Sequence, residues 1–138
     1  MAEMAALEYE KIKLLFDYTK FHIGLYTSIG TIVVAGYSAK VIHFEEVALC
    51  IGMLCIAVAG LAAGTITSTL PECSTLKEFY DKEHGIWLFQ RIARHWRGWR
   101  GEEWTRIEHI AFWLGIISLV TSIAIAPVAQ CFGIVTLG

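Results

Sequence analysis

Three stretches of this chain, 21–39, 47–71 and 110–138, contain no aspartate, glutamate, lysine or arginine. As helices rising about 1.5 Å per residue, each is long enough to cross a hydrocarbon core about 30 Å thick. Uncharged apolar runs of that length are read as membrane spans. The composition agrees: 56% of residues are hydrophobic and the mean hydropathy is +0.56, more apolar surface than a soluble chain of 138 residues can bury. The sequence therefore predicts an all-α integral membrane protein. A single membrane domain covers 1–138, with three transmembrane helices at 21–39, 47–69 and 107–129 and a cytoplasmic amphipathic helix between the second and third.

The charges predict how that domain sits. Ten of the eleven lysines and arginines lie in 1–20 or 72–106, and only Lys40 lies elsewhere. Basic residues near span ends favour the cytoplasmic side. With three spans, both basic segments face the cytoplasm, so the N-terminus is expected inside and the C-terminus on the opposite side of a multi-pass membrane protein. Glu3, Glu8, Glu10 and Asp17 precede the first apolar run, which is unlike a cleavable signal peptide. The short outer turn 40–46 makes the first two spans antiparallel neighbours. Pro127 predicts a kink or an end in the third helix, with 130–138 as an outer tail. Cys50, Cys55, Cys73 and Cys131 lack metal-ligand spacing.

On the inner side, 1–20 has helix-forming composition and a heptad-like stripe of Met4, Leu7, Leu14 and Tyr18 interrupted by Lys11. It is expected to continue the first span as one long helix. Residues 76–100 are expected to form an amphipathic inner loop, with an amphipathic helix between Ile86 and Arg100. A helical projection places Leu88, Phe89, Ile92, Trp96 and Trp99 on one side and Arg91, Arg94 and Arg97 on the other, with Arg100 at the boundary and Trp87 among the aromatics. Arginines beside tryptophans suit an interfacial helix on anionic lipids. They equally suit a solvated face packed on the span ends, and less well a polyanion site, so nucleic acid is an unlikely partner. Gly98 and Gly101 are expected to break this helix, leaving Glu102 and Glu103 in the first turn of the third long helix.

Helices in lipid associate through small residues and hydroxyls, because lipid tails compete with larger apolar side chains. Each span carries such a stripe: Gly24, Thr27, Thr31, Ala35 and Ser38 in the first, Ala57, Gly60, Gly64 and Thr67 in the second, and Gly115, Ser118, Ser122 and Ala126 in the third. The stripes either face one another inside one protomer or line contacts between copies in a homo-oligomer. A ring of copies lined by threonine and serine makes a weakly polar path.

No acidic or basic residue falls inside the uncharged runs, and no Gly-rich phosphate loop, HExxH or GxSxG motif is present. The chain is not expected to be an enzyme. Cys73 and His84 are the one nucleophile and base pair available, although His84 and His95 are expected to be solvated. His22 and His109 fall at the cytoplasmic ends of two spans, which makes them the candidate ligands of a bis-histidine haem b; no other cofactor or metal is implied. Small three-span anchor subunits of respiratory complexes have this topology and bind haem, but the second span here contains no histidine and no family motif is present. The function expected is that of a small polytopic membrane protein acting through oligomerisation, as a pore-forming channel or membrane-disrupting effector with a basic cytoplasmic surface. The alternative is a membrane anchor or accessory subunit of a larger complex.

Overall fold

A computed structural model of the chain describes residues 2–84 and 98–131, with side chains at 6–84 and 98–125. Among the described residues the chain is all-α apart from one two-residue antiparallel strand pair. Helix α1 (Ala2–Ser38) runs unbroken through the basic N-terminal segment and the first uncharged run. Helix α2 (Glu46–Thr69) ends in a 3-10 turn at Leu70–Glu72. A short helix α3 (Leu76–Asp81), strands β1 (Glu83–His84) and β2 (Trp99–Arg100), and helix α4 (Gly101–Cys131) follow.

Three long helices pack because each buries a line of residues at alternating spacings of three and four, the period that keeps one face toward its neighbours. In α2 the line is Gly52, Ile56, Ala59, Ala63, Ile66 and Leu70. In α4 it is Gly101, Trp104, Glu108, Ala111, Gly115, Leu119 and Ser122, and in α1 Thr19, His22, Tyr26 and Val33. Helix α2 is central and lies closest to α4. A Cβ on Gly52 would sit 2.8 Å from the Leu119 side chain, and one on Gly115 would sit 2.9 Å from Ile56 and 3.3 Å from the Gly52 oxygen. Two apolar cores result. One holds Tyr26, Val33, Ile56, Ala59, Ala63, Ala111 and Leu119; the other holds Ala62, Ile66, Leu70, Cys73, Phe79 and Trp104.

Among the described residues two segments, Glu46–Glu72 and Gly101–Ile125, are long and apolar enough to cross a membrane. Their outward surface fits that environment, with Ile51, Leu54 and Leu61 of α2 and Trp113, Leu114, Ile117 and Val120 of α4 all exposed. The uncharged run of α1 is diluted by His22, Thr27, Ser28, Thr31 and Ser38. Helix α4 also passes Pro127 and continues to Cys131, where the sequence predicts a kink or an end. Proline removes one backbone bond and leaves the helix's other backbone bonds in place.

The outer turn is fixed at both sides. Helix α1 closes with Lys40 in the left-handed region (φ 54°), while the Val41 and Ile42 amides turn back to the Gly36 carbonyl at 3.2 and 3.5 Å. Glu45 caps α2 by accepting from the Val47 and Ala48 amides at 3.2 and 2.7 Å.

Most of the helix expected between Ile86 and Arg100 lies outside the described residues; a short helix precedes it, and its last two residues are not helical. Thr75 accepts from the Glu78 amide at 3.1 Å and Glu78 accepts from the Ser74 amide at 2.8 Å, a reciprocal cap that starts α3. The helix stops after six residues because fully buried Phe79 anchors it beside Trp104, and the buried His84 ring donates from Nε2 to the Phe79 carbonyl at 2.9 Å. Trp99 and Arg100 then lie in a strand, paired Glu83 to Arg100 and His84 to Trp99, instead of on an amphipathic helix. Gly101 is required where this hairpin meets α4, since a Cβ there would strike the Phe79 carbonyl oxygen. Trp87, Arg91, Arg94, Trp96 and Arg97, the middle of the expected amphipathic helix, lie outside the described residues, as does 132–138 of the outer tail.

Candidate functional site

One buried ionisable cluster joins α1 to α4. The Glu108 carboxylate, with 3% of its side chain exposed, receives His22 Nδ1 on Oε1 at 2.7 Å and His109 Nδ1 on Oε2 at 3.2 Å. The Tyr26 hydroxyl donates to the same Oε1 and lies 3.2 Å from His22 Nδ1. Moving a carboxylate out of water costs several kcal/mol unless it is paired and hydrogen-bonded. Three donors supply that compensation, and among the described residues no buried side-chain nitrogen or oxygen lacks a partner.

Helical geometry explains why these residues meet. His22 and Tyr26 are four apart on the inner line of α1, one turn above the other. Glu108 lies on the inner line of α4, one turn before Ala111. Aromatic rings close the site: Phe112 lies 5.6 Å from His22 and 5.4 Å from Tyr26, and Tyr18 stands 4.1 Å from His22 and 6.5 Å from His109, centroid to centroid. Burial and then the Glu108 charge push the Tyr18 phenol above its ordinary range, so the hydroxyl stays protonated. His109 is half-exposed and opens the cluster to the surface.

Glu108 is absent from the residues singled out by sequence: it falls inside the expected third span, 107–129, but before the uncharged run that begins at Ile110. The signal that finds it is periodicity: Trp104, Glu108, Ala111 and Gly115 continue one line across the charge boundary. His22 and His109, expected as haem ligands, are brought together with ring centroids 6.3 Å apart. Both turn Nδ1 to one carboxylate, with aromatic rings packed against them. Among the described residues no group of three or more histidine, cysteine, aspartate or glutamate side chains is arranged to hold a metal ion.

The small-residue stripes divide. Gly115 and Ser122 are buried against α2 and the outer turn, and Ser118 is half-buried. Gly60 is half-buried, with a Cβ there 3.9 Å from the Tyr26 ring, whereas Gly64 is exposed with open space around it. Thr67 is half-buried and donates to the Ala63 carbonyl at 2.7 Å. In α1, Gly24, Thr27, Thr31, Ala35 and Ser38 are all exposed, so this stripe does not face the other helices of its own protomer. The inner face of α1 is occupied by His22, Tyr26 and Val33 instead. Thr27 and Thr31 satisfy their hydroxyls on the Ile23 and Thr27 carbonyls at 2.9 and 2.8 Å, which removes the need for a partner across the bundle.

His84, expected in solvent, is buried against Phe79 with ring centroids 4.9 Å apart, and its carbonyl accepts from Trp104 Nε1 at 2.8 Å. Cys73 is also buried. Its Sγ is 3.7 Å from the Thr69 carbonyl, and burial, then the Glu78 charge, push the thiol above its ordinary range, the reverse of an activated nucleophile. Trp99 packs 5.0 Å from Trp104, and Arg100 uses its amide to bind Glu103 Oε2 at 2.8 Å.

The fold and the site define an all-α protein with two helices able to span a membrane and a polar seam at one end of its bundle. Comparison with known protein families, curated proteins and solved structures finds no match.

Proposed function

We propose that this chain is a membrane protein of three spans, 21–39, 47–69 and 107–129, with its N-terminal segment and basic inner segment in the cytoplasm, and that it acts by self-association. The observation that carries this reading is the outward turn of Gly24, Thr27, Thr31 and Ser38 on α1. Small residues allow close backbone approach in lipid, and hydroxyls already bonded to their own helix leave a flat, uncharged, weakly polar face. Copies joined or lined by such faces make an assembly fit for permeation without strong ion selectivity. Arg91, Arg94, Arg97 and Arg100 with Trp87, Trp96 and Trp99 would contact anionic lipid headgroups beneath it.

Mass measurement of the nanodisc-embedded particle tests the reading. A homo-oligomer that falls apart in a Gly24→Leu, Thr31→Leu double variant supports it; a monomer, or an oligomer indifferent to both changes, sinks it. A second, different chain in a particle purified from its native membrane would favour the accessory-subunit function. Ion flux across loaded vesicles separates a conducting assembly from a silent one.

A further inference from the structure

A second line of side chains recurs along α1 at alternating spacings of four and three: Leu7, Lys11, Leu14, Tyr18, Phe21 and Leu25, with Ile32 one heptad further. At about 100° per residue it stands roughly a quarter turn from the buried line of Thr19, His22, Tyr26 and Val33. Every member is exposed except half-buried Leu25, and Leu7 and Leu14 keep 53% and 73% of their surface open. The bundle does not need this line, because Ile12 and Leu15 pack the same turns of α1 on the core of Phe79 and Trp104. Lipid does not reach it either. At 1.5 Å per residue, Leu7 and Leu14 stand about 21 and about 10 Å before Phe21, the first residue of the uncharged run. Glu8, Glu10, Lys11, Lys13 and Asp17, spread around these turns, keep them out of hydrocarbon.

We propose that this line is a parallel coiled-coil seam that docks α1 on α1 of a second copy of the chain. A sustained alternation of four and three is the repeat with which one helix meets another along its length. Copies inserted in the same orientation present α1 in parallel, so each seam residue meets its own counterpart. Lys11 then stands beside Lys11 of the second copy in an otherwise apolar stretch, and the surrounding charges are complementary to the pair. Each ammonium has Glu8 of its own helix at 2.8 Å and, across the seam, exposed Glu10 of the second copy in the flanking position. A lysine at one core position fixes register and the number of helices at a cost in stability, and flanking carboxylates reduce that cost. Gly24 and Thr31 flank the same seam where it enters the uncharged run, so close approach in lipid and the heptad contact outside it form one surface. The seam rests on the reading of α1 as the association helix, and it specifies the partner and the register.

The test uses the full chain in nanodiscs, with its four native cysteines changed to alanine and one cysteine placed on α1. On oxidation, Leu14→Cys should form covalent dimers about tenfold more than Tyr9→Cys, exposed on the far side of the helix, because a disulfide needs Cβ atoms within about 4.5 Å. By particle mass, Leu14→Glu should be monomeric, and its exposed position spares the protomer's own packing. Glu10→Lys should weaken association at about 0.1 M salt and regain it at about 1 M, where the screening length falls from about 10 to about 3 Å. Equal cross-linking at Tyr9 and Leu14, an oligomer that survives Leu14→Glu, or parent-like association of Glu10→Lys at the lower salt overturns the seam. The Gly24→Leu, Thr31→Leu double variant separates the two claims. An oligomer indifferent to it but lost in Leu14→Glu sinks the small-residue face and leaves the seam; one lost with it but kept in Leu14→Glu does the reverse, and a monomeric parent sinks both.

Discussion

Ser122 and Glu45 hold each other twice: the Ser122 hydroxyl donates to the Glu45 carbonyl at 2.7 Å, and the Glu45 amide donates to the Ser122 carbonyl at 3.0 Å. The pair fastens the outer turn to α4 while the Glu45 side chain caps α2, so one residue serves two helices. Ser122→Ala removes the first bond and spares the second. The expected loss is about 1 kcal/mol of stability, the usual worth of one such bond, and Ser122→Val should cost more because its added methyl meets a fully buried site. Unfolding in mixed detergent measures both, and a Ser122→Ala variant as stable as the parent contradicts a stabilising role for the Ser122–Glu45 pair.

Gly115 and Gly64 are predicted to behave oppositely although sequence places both in packing stripes. A Cβ at Gly115 meets Ile56 at 2.9 Å and the Gly52 oxygen at 3.3 Å, so Gly115→Ala forces α2 and α4 apart at a cost of about 1–3 kcal/mol. Gly64 has open space around it, so Gly64→Ala should leave the protomer intact or gain up to about 1 kcal/mol from helix propensity. If the particle mass falls in Gly64→Ala while thermal unfolding does not, the Gly64 face belongs to an interface between copies. Equal destabilisation by both variants would mean the α2–α4 geometry is wrong.

What the sequence makes legible follows from how far each signal reaches. Long helices are readable because charge-free runs and the Lys40 turn mark them over many residues. The inner face of α1 is not, because a preference for small residues at helix contacts points to Thr27 and Thr31, while the bundle uses His22 and Tyr26 to reach a carboxylate. Glu108 is hidden because the charge-free run that marks the third span begins two residues later, at Ile110. The hairpin Glu83–His84 with Trp99–Arg100 is too short for any period to register. Yet Thr75 and Glu78, spaced as a reciprocal cap, mark the start of α3, and Gly101, beside buried Phe79, marks the start of α4.

Lys40 carries the one positive φ recorded for a non-glycine among the described residues, 54°, at the turn that ends α1. An L-residue pays roughly 1–2 kcal/mol in this conformation, which glycine avoids. Its exposed side chain sets no packing to be lost. Lys40→Gly is therefore expected to stabilise the chain by about 1 kcal/mol, and Lys40→Val to destabilise it, with α1 otherwise unchanged. Paired melting curves decide the matter: a less stable Lys40→Gly would show that the side chain contributes more than its backbone costs.

Glu8 gives the N-terminal half of α1 its hold on α3, and the hold depends on pH. Its carboxylate accepts from Lys11 Nζ at 2.8 Å and from the Leu76 amide at 3.4 Å, and these two partners, Lys11 first, pull it below the ordinary carboxylate range. A carboxyl depressed on folding stabilises the folded form above its unfolded range and loses that contribution as pH falls through the lower folded value. Protection of the Leu76 amide, normalised for intrinsic exchange, should therefore be flat from about pH 7 to about pH 5 and decline toward about pH 3. Glu8→Ala should lower protection at neutral pH and abolish the decline, because the titrating partner is gone. Lys11→Ala keeps the acceptor but removes the main cause of the depression, so its decline should begin at higher pH. Protection that rises on acidification, or a Glu8→Ala profile matching the parent, would place the α1–α3 hold elsewhere, on the apolar contacts of Ile12 and Leu15 with the core around Phe79 and Trp104.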